Sequence, residues 1–144
     1  MREIKFRGIS KNNNRWVYGF VSIDKNSAKM EGFPHYISRS SGYLPVEVVP
    51  KSVGQSTGMK DKNGVEIYEG DIVQSTWYDV GNNPYKKIGE IIFVGAEYVI
   101  AYDSQFDVET GEITYDAHSL TYAEDVEVIG NIYENTELLE REAE

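Results

Sequence analysis

Period-two alternation organises this chain from its first residues. In REIKFRG (2–8), Ile4 and Phe6 fall on one face and Glu3, Lys5 and Arg7 on the other, the pattern of a half-buried strand. A polar turn, SKNNNR, follows, and RWVYGFVSI returns as a second strand, with Trp16, Tyr18 and Phe20 on one face and Val17 and Val21 on the other. Aromatic side chains bury the most apolar area, so the aromatic face is expected to point inward. After a polar loop (DKNSAKMEG), PHYISR reads as a short strand and SSGYLP as a turn. PVEVVP reads as a β-branched strand bounded by Pro45 and Pro50, which confine it to an edge or a short pairing.

The middle of the chain is denser still. In GQSTGMKDKNGVEIYEGDIV (54–73), Asn63-Gly64 is a hairpin signal and Gly70 marks a second turn. Ile67, Ile72 and Val73 are core candidates. DIVQSTWY is a strand, DVGNNPYKK a loop, and IGEIIFVG and EYVIAYD two strands joined through Gly95 and Ala96. VETGEITYD contains a Thr-Gly turn, and EDVEVIGNIYEN is a last strand or strand pair bent at Gly130. NTELLEREAE predicts a short helix with Asn135 as cap and Glu137 in its first turn, fraying towards its acidic end. Strands this closely spaced, with no long helical pattern between them, argue against a parallel βαβ fold and predict mainly antiparallel β structure closed into a small barrel or roll. The organisation expected is an N-terminal β sub-domain (1–50), a barrel sub-domain (51–135) and a short C-terminal helix or tail (136–144).

Composition narrows the function classes. The 144 residues contain no cysteine, which removes disulfides, thiolate nucleophiles and cysteine-based metal sites. No apolar run has the length of a signal peptide core or a membrane span. Together these suggest a cytoplasmic protein. Net charge is −10, unevenly spread. Residues 1–50 hold eight Lys/Arg against four Asp/Glu, and residues 101–144 hold one against thirteen. Such a split favours complementary contacts with an acidic partner or between copies of the chain.

Candidate chemistry is sparse. Counted from Asp61 as an EF-hand loop, position five is Val65 and position six is Glu66 rather than glycine, so the calcium pattern fails. DVETGE fails too, its glycine arriving at position five. There is no GxxxxGK[ST] and no GxGxxG. His35 and His118 each stand alone in sequence, without a base or acid at motif spacing. No catalytic, metal or cofactor residue is assigned, and a non-enzymatic protein is expected. The one polar pattern of interest is Arg2, Lys5, Arg7, Lys11 and Arg15 interleaved with Trp16 and Tyr18. Cations supply phosphate affinity and aromatic rings supply stacking platforms for nucleic-acid bases. The overall acidity of the chain opposes that reading.

Two stretches carry a resemblance. VGQSTGMKDKNGVEIYEGDIV (53–73) and EVIGNIYEN (127–135), with REIKFRGIS and WVYGF near the start, resemble the YopX family of phage and prophage proteins from low-GC Gram-positive bacteria. The likeness spans the start, middle and end of the chain. It implies an SH3-like barrel around YEGDIV, closed by VIGNIYEN, and a phage or prophage origin in a bacterial cytoplasm. It supplies no activity. Ser56 stands where the family pattern has an aromatic, and Thr136 where it has proline; the first implies a smaller local packing cluster, the second an ordinary polar helix start. The function expected is a non-enzymatic protein-interaction module, self-associating and binding a host or phage protein. The alternative is a nucleic-acid-associated protein using the basic, aromatic N-terminal hairpin.

Overall fold

The computed structural model describes residues 4–30, 32–39, 44–106 and 108–140, with the side chains of 103–106 and 113–115 left aside. The fold is mainly β, in two antiparallel sheets, and the chain forms two compact units, Met1–Gly58 and Met59–Glu144.

In the first unit, β1 (Phe6–Ile9), β2 (Trp16–Ile23), β3 (His35–Ser38) and β4 (Val46–Val48) form a meander, and β5 (Gly54–Lys60) pairs with the open side of β1. Residues 54 and 55 thus belong with the N-terminal strands, through Arg7 opposite Gly54 and Phe6 opposite Gln55. The proline-bounded β4 is an edge strand, as the flanking prolines require. A bridge between Ser10 and Val48 ties it to the end of β1 without closing a barrel.

Register decides which face of this sheet is inside. Directly opposed residues share a face. Phe6 opposes Gly19, Gly8 opposes Val17, Val21 opposes Ile37, and Ile37 opposes Val46. That face holds the core, Val17, Ile37 and Val48, with Phe6, Val46 and Val53 against it. Trp16, Tyr18 and Phe20 therefore lie on the outer face, correcting the expectation that the aromatics point inward. The reason is space. A Cβ on Gly8 would meet Val48 at 3.0 Å and Ile37 at 3.1 Å, and one on Gly19 would meet the Ser38 carbonyl oxygen at 2.2 Å. With so little room opposite β2, its inner positions go to the small or branched residues Val17, Gly19 and Val21, and its three rings take the other face.

The second unit opens with β6 (Glu66–Tyr68). β7 (Asp71–Tyr78), β8 (Pro84–Val94), β9 (Glu97–Phe106), β10 (Ile113–Ser119) and β11 (Glu124–Asn131) form a sheet in the order β10-β9-β8-β7-β11. β8 starts earlier than expected, at Pro84, where a missing N–H is tolerated at the first residue of a strand. Its core is Ile67, Val73, Ile91, Ile100, Leu120 and Val126. The β8–β9 hairpin turns on two residues, Gly95 (φ 58°) and Ala96 (φ 72°).

The 54–73 stretch is architecture. The β5–β6 loop is closed by Asp61 N–H to the Val65 carbonyl (2.8 Å) and Gly64 N–H to the Asp61 carbonyl (3.0 Å), with Gly64 at φ 82°. That positive φ is what the Asn-Gly signal supplies. The Asp61 carboxylate does more. It accepts from the N–H groups of Asn63 (2.8 Å), Val65 (2.9 Å) and, from β11, Val128 (3.0 Å). At the next turn the Asp71 carboxylate accepts from Tyr68 N–H (2.8 Å), and Gly70 (φ 89°) bonds to Ile91 and Ile132. Gly130 sits at a register shift in β11, where a Cβ would meet the Asn135 side-chain oxygen at 2.7 Å and Leu138 at 2.7 Å.

The C-terminal expectation needs correction. Residues Thr136–Glu140 form a 3-10 turn with no buried side chain, and residues 141–144, the acidic end, lie outside the described residues. Asn135 accepts from Asn131 N–H (3.3 Å) and closes the GNIYEN turn instead of capping an α-helix. So short a segment, with Leu138 and Leu139 only half-buried, cannot offset the nucleation of an α-helix. Among the described residues, no helix is long and apolar enough to cross a membrane.

Candidate interaction face

The outer face of β1 to β4 brings most of the sequence-level candidates together. Arg7 opposes Tyr18, Ile9 opposes Trp16, Phe20 opposes Ser38, and Ser22 opposes Tyr36. Trp16, Tyr18, Phe20 and Tyr36 thus share one face with Arg7. Tyr18 is 43% exposed and Phe20 55%. The Arg7 guanidinium lies 4.2 Å from the Trp16 ring centroid and the Lys5 ammonium 5.8 Å from that of Tyr18. A cation at that distance over an aromatic face is held by the ring quadrupole. Arg7 is buried, so its charge works inside the structure.

The other candidates are elsewhere. Lys11 pairs with Glu47 at 3.2 Å, and Lys29 shares that carboxylate at 2.9 Å. Hydrogen bonds from Lys29 and then Lys11 hold the Glu47 carboxyl below its ordinary range. Arg15 is exposed at the β1–β2 turn, its N–H donating to the Asn13 side chain (3.1 Å). Arg2 lies outside the described residues. Asn63, Gly64, Gly70 and Gly130 occupy the turns and the bulge described above. His35 bonds through Nδ1 to the Phe33 carbonyl at 2.7 Å.

A second cluster escaped the sequence reading. The ring of Trp77 stacks on that of His118, centroids 4.3 Å apart and planes tilted by 31°. Tyr102 meets both edge-on, at 6.1 Å and 5.6 Å. Buried Ser75 accepts from Trp77 Nε1 (2.8 Å) and bonds to the Tyr102 hydroxyl (3.1 Å). Lys87 lies 4.7 Å from the Tyr102 centroid and pairs with Asp116 at 3.1 Å. Burial pushes the Tyr102 phenol up to about 12, against the smaller opposing effect of its hydrogen bonds. His118 is therefore not isolated in space, although no short motif joins it to Trp77. Ser75-x-Trp77 on one strand was the only local hint. Among the described residues, no three His, Cys, Asp or Glu side chains are grouped to hold a metal ion.

The described geometry therefore offers a mixed aromatic and basic face and a packed aromatic cluster. Against known proteins, no curated protein matches the chain. Among solved structures, the chain is similar to the crystal structure of a protein from Enterococcus faecalis, 23% identical, covering 96% of this chain and 99% of that one with a TM-score of 0.48. The family model described as YopX protein matches residues 5–140, nearly the whole chain. The chain belongs to the YopX family.

Proposed function

We propose that this protein is a non-enzymatic interaction module that binds another protein through the outer face of β1 to β4. The observation carrying the reading is the register that leaves Tyr18 and Phe20 exposed on that face beside Trp16 and Tyr36. Exposed aromatics around a buried cation–π pair are the material of protein-binding hot spots. The cations favour this over nucleic acid. Lys5 and Arg7 lie over rings of their own sheet, and Lys11 and Lys29 share Glu47. Phosphate binding would compete with these contacts. An acidic partner suits the charge of residues 1–58, which hold nine Lys/Arg and four Asp/Glu. Residues 59–144, with five and twenty, make a second copy of the chain one such partner. The SH3-like comparison, the phage or prophage origin and the bacterial cytoplasm remain part of this reading on family grounds alone.

The test is affinity capture from a host lysate, with and without nuclease, using the wild type and a Tyr18→Ala/Phe20→Ala variant. The expected result is a protein captured by the wild type, resistant to nuclease and lost with the variant. Nuclease-sensitive capture, with affinity falling steeply as salt rises, would transfer the face to the nucleic-acid reading. Equal capture by both forms would overturn the assignment of the face.

A further inference from the structure

A cleft of about 190 Å³ opens over β7 within the second unit. Its floor is β7 itself. Half-buried Gln74 and Thr76, itself only 9% exposed, project to one side of the strand, and Val73 and Ser75 to the other. Strands β8 and β11 flank β7 and form its two banks. Thr76 opposes Lys86 on one side and Glu124 on the other, and Gln74 opposes Glu127. Lys62 and Glu127 close one end as an ion pair at 3.2 Å.

Two lining charges stand apart from that pair. Lys86 on the β8 bank and Asp125 on the β11 bank make no ion pair among the described residues. Asp125 holds a φ of 50°, in the left-handed region that side-chain-bearing residues seldom adopt. It sits in the bulge where the β11 register shifts between Glu124 and Glu127. Bulges of this kind redirect a side chain. The two banks are two strand spacings apart, about 9.6 Å, and a lysine side chain reaches across much of that distance.

We propose that this cleft binds a small zwitterion, a molecule with one carboxylate and one ammonium group a few bonds apart. Lys86 takes the carboxylate and Asp125 the ammonium, while Thr76 and Gln74 offer neutral donors and acceptors between them. Charge selects the class. Residues 59–144 carry a large acidic excess, which repels a simple anion at long range. A lone cation would leave Lys86 facing a like charge. A ligand with no net charge and two separated poles meets neither penalty. This inference concerns other residues than the interaction face and does not rest on it.

The experiment is a titration of the ¹⁵N-labelled full chain, read by amide chemical shifts. The probes are 4-aminobutyrate and 5-aminopentanoate, with butyrate and butylamine as single-charge controls. Saturable shifts at the amides of Gln74, Thr76 and Lys86 are expected with at least one zwitterion, and at least about tenfold weaker binding of both controls, the worth of one charged hydrogen bond. Lys86→Gln and Asp125→Asn should each weaken binding by about the same factor. Thr76→Val provides a further variant should either lose a folded spectrum, and it too should weaken binding. The absence of saturable shifts from both zwitterions, equal binding of butyrate or butylamine, or undiminished binding in the folded variants would overturn the proposal.

Discussion

Asp61 gives the sharpest test of how this fold is held. Its carboxylate accepts three backbone N–H groups, two within the β5–β6 loop and one from Val128 on β11, and the residue is only 7% exposed. A hydrogen bond to a charged group contributes about 1.5–3 kcal/mol net. The three bonds share one carboxylate, and water reaches the loop donors once it is removed, so the simple sum is too large. Asp61→Ala is therefore expected to cost about 3 kcal/mol, with melting lowered by about 6–12 °C for a chain of this size. Asp61→Asn keeps one acceptor oxygen and should fall between. Urea unfolding in a Trp16→Phe background, with Trp77 fluorescence reporting the second unit, measures the difference.

The same carboxylate should make that difference depend on pH. Burial by itself would raise its pKa, but the N–H donors of Val128, Val65 and Asn63 outweigh it and leave the pKa below the ordinary 3.8. A depressed folded pKa stabilises above the unfolded value and loses that contribution as pH falls through the folded one. The gap between wild type and Asp61→Ala should thus be full at neutral pH and narrow below about pH 3.8. A cost of less than about 0.5 kcal/mol, the range of ordinary surface substitutions, or a gap that does not narrow in acid would refute this account.

Other predictions test the remaining contacts. Val17→Ala should destabilise the first unit by about 1–2.5 kcal/mol, whereas Phe20→Tyr, which keeps the ring and adds a hydroxyl on the outer face, should stay within about 0.5 kcal/mol; the reverse order in chemical denaturation would put the aromatic face inside. Ala96→Gly should stabilise by about 1 kcal/mol and Gly64→Val should destabilise by about 1–2 kcal/mol, since both positions hold positive φ; equal melting temperatures would refute both. Tyr102, with its pKa raised from 10.0 to about 12, favours the folded state below pH 10 and loses that contribution as pH rises from 10 towards 12. Tyr102→Phe should flatten the alkaline loss of stability in that window, and an unchanged profile in pH-dependent melting would exclude Tyr102 as its source.

Local pattern and tertiary context divide cleanly in this protein. Alternation located β1, β2, β7 and β9, because a strand with one buried face repeats every second residue whatever packs on it. Asn63-Gly64 and Gly70 announced their turns, because positive φ is a local steric requirement. Pro45 and Pro50 made β4 an edge, because proline lacks the N–H a central strand needs. Which face of β2 is inside was beyond that reach. Both faces are apolar, and the choice rests on Gly8 and Gly19 meeting Val48, Ile37 and Ser38 across the sheet. The C-terminal segment had a helical composition, yet it has no buried side chain to stabilise a helix. Asp61 and Val128, like Trp77 and His118, are joined only by the order of strands. Composition and periodicity determined that this chain folds as antiparallel β structure. The tertiary structure alone decided which aromatics face outward and which charges face one another across β7, because those depend on register and strand order, which no local pattern encodes.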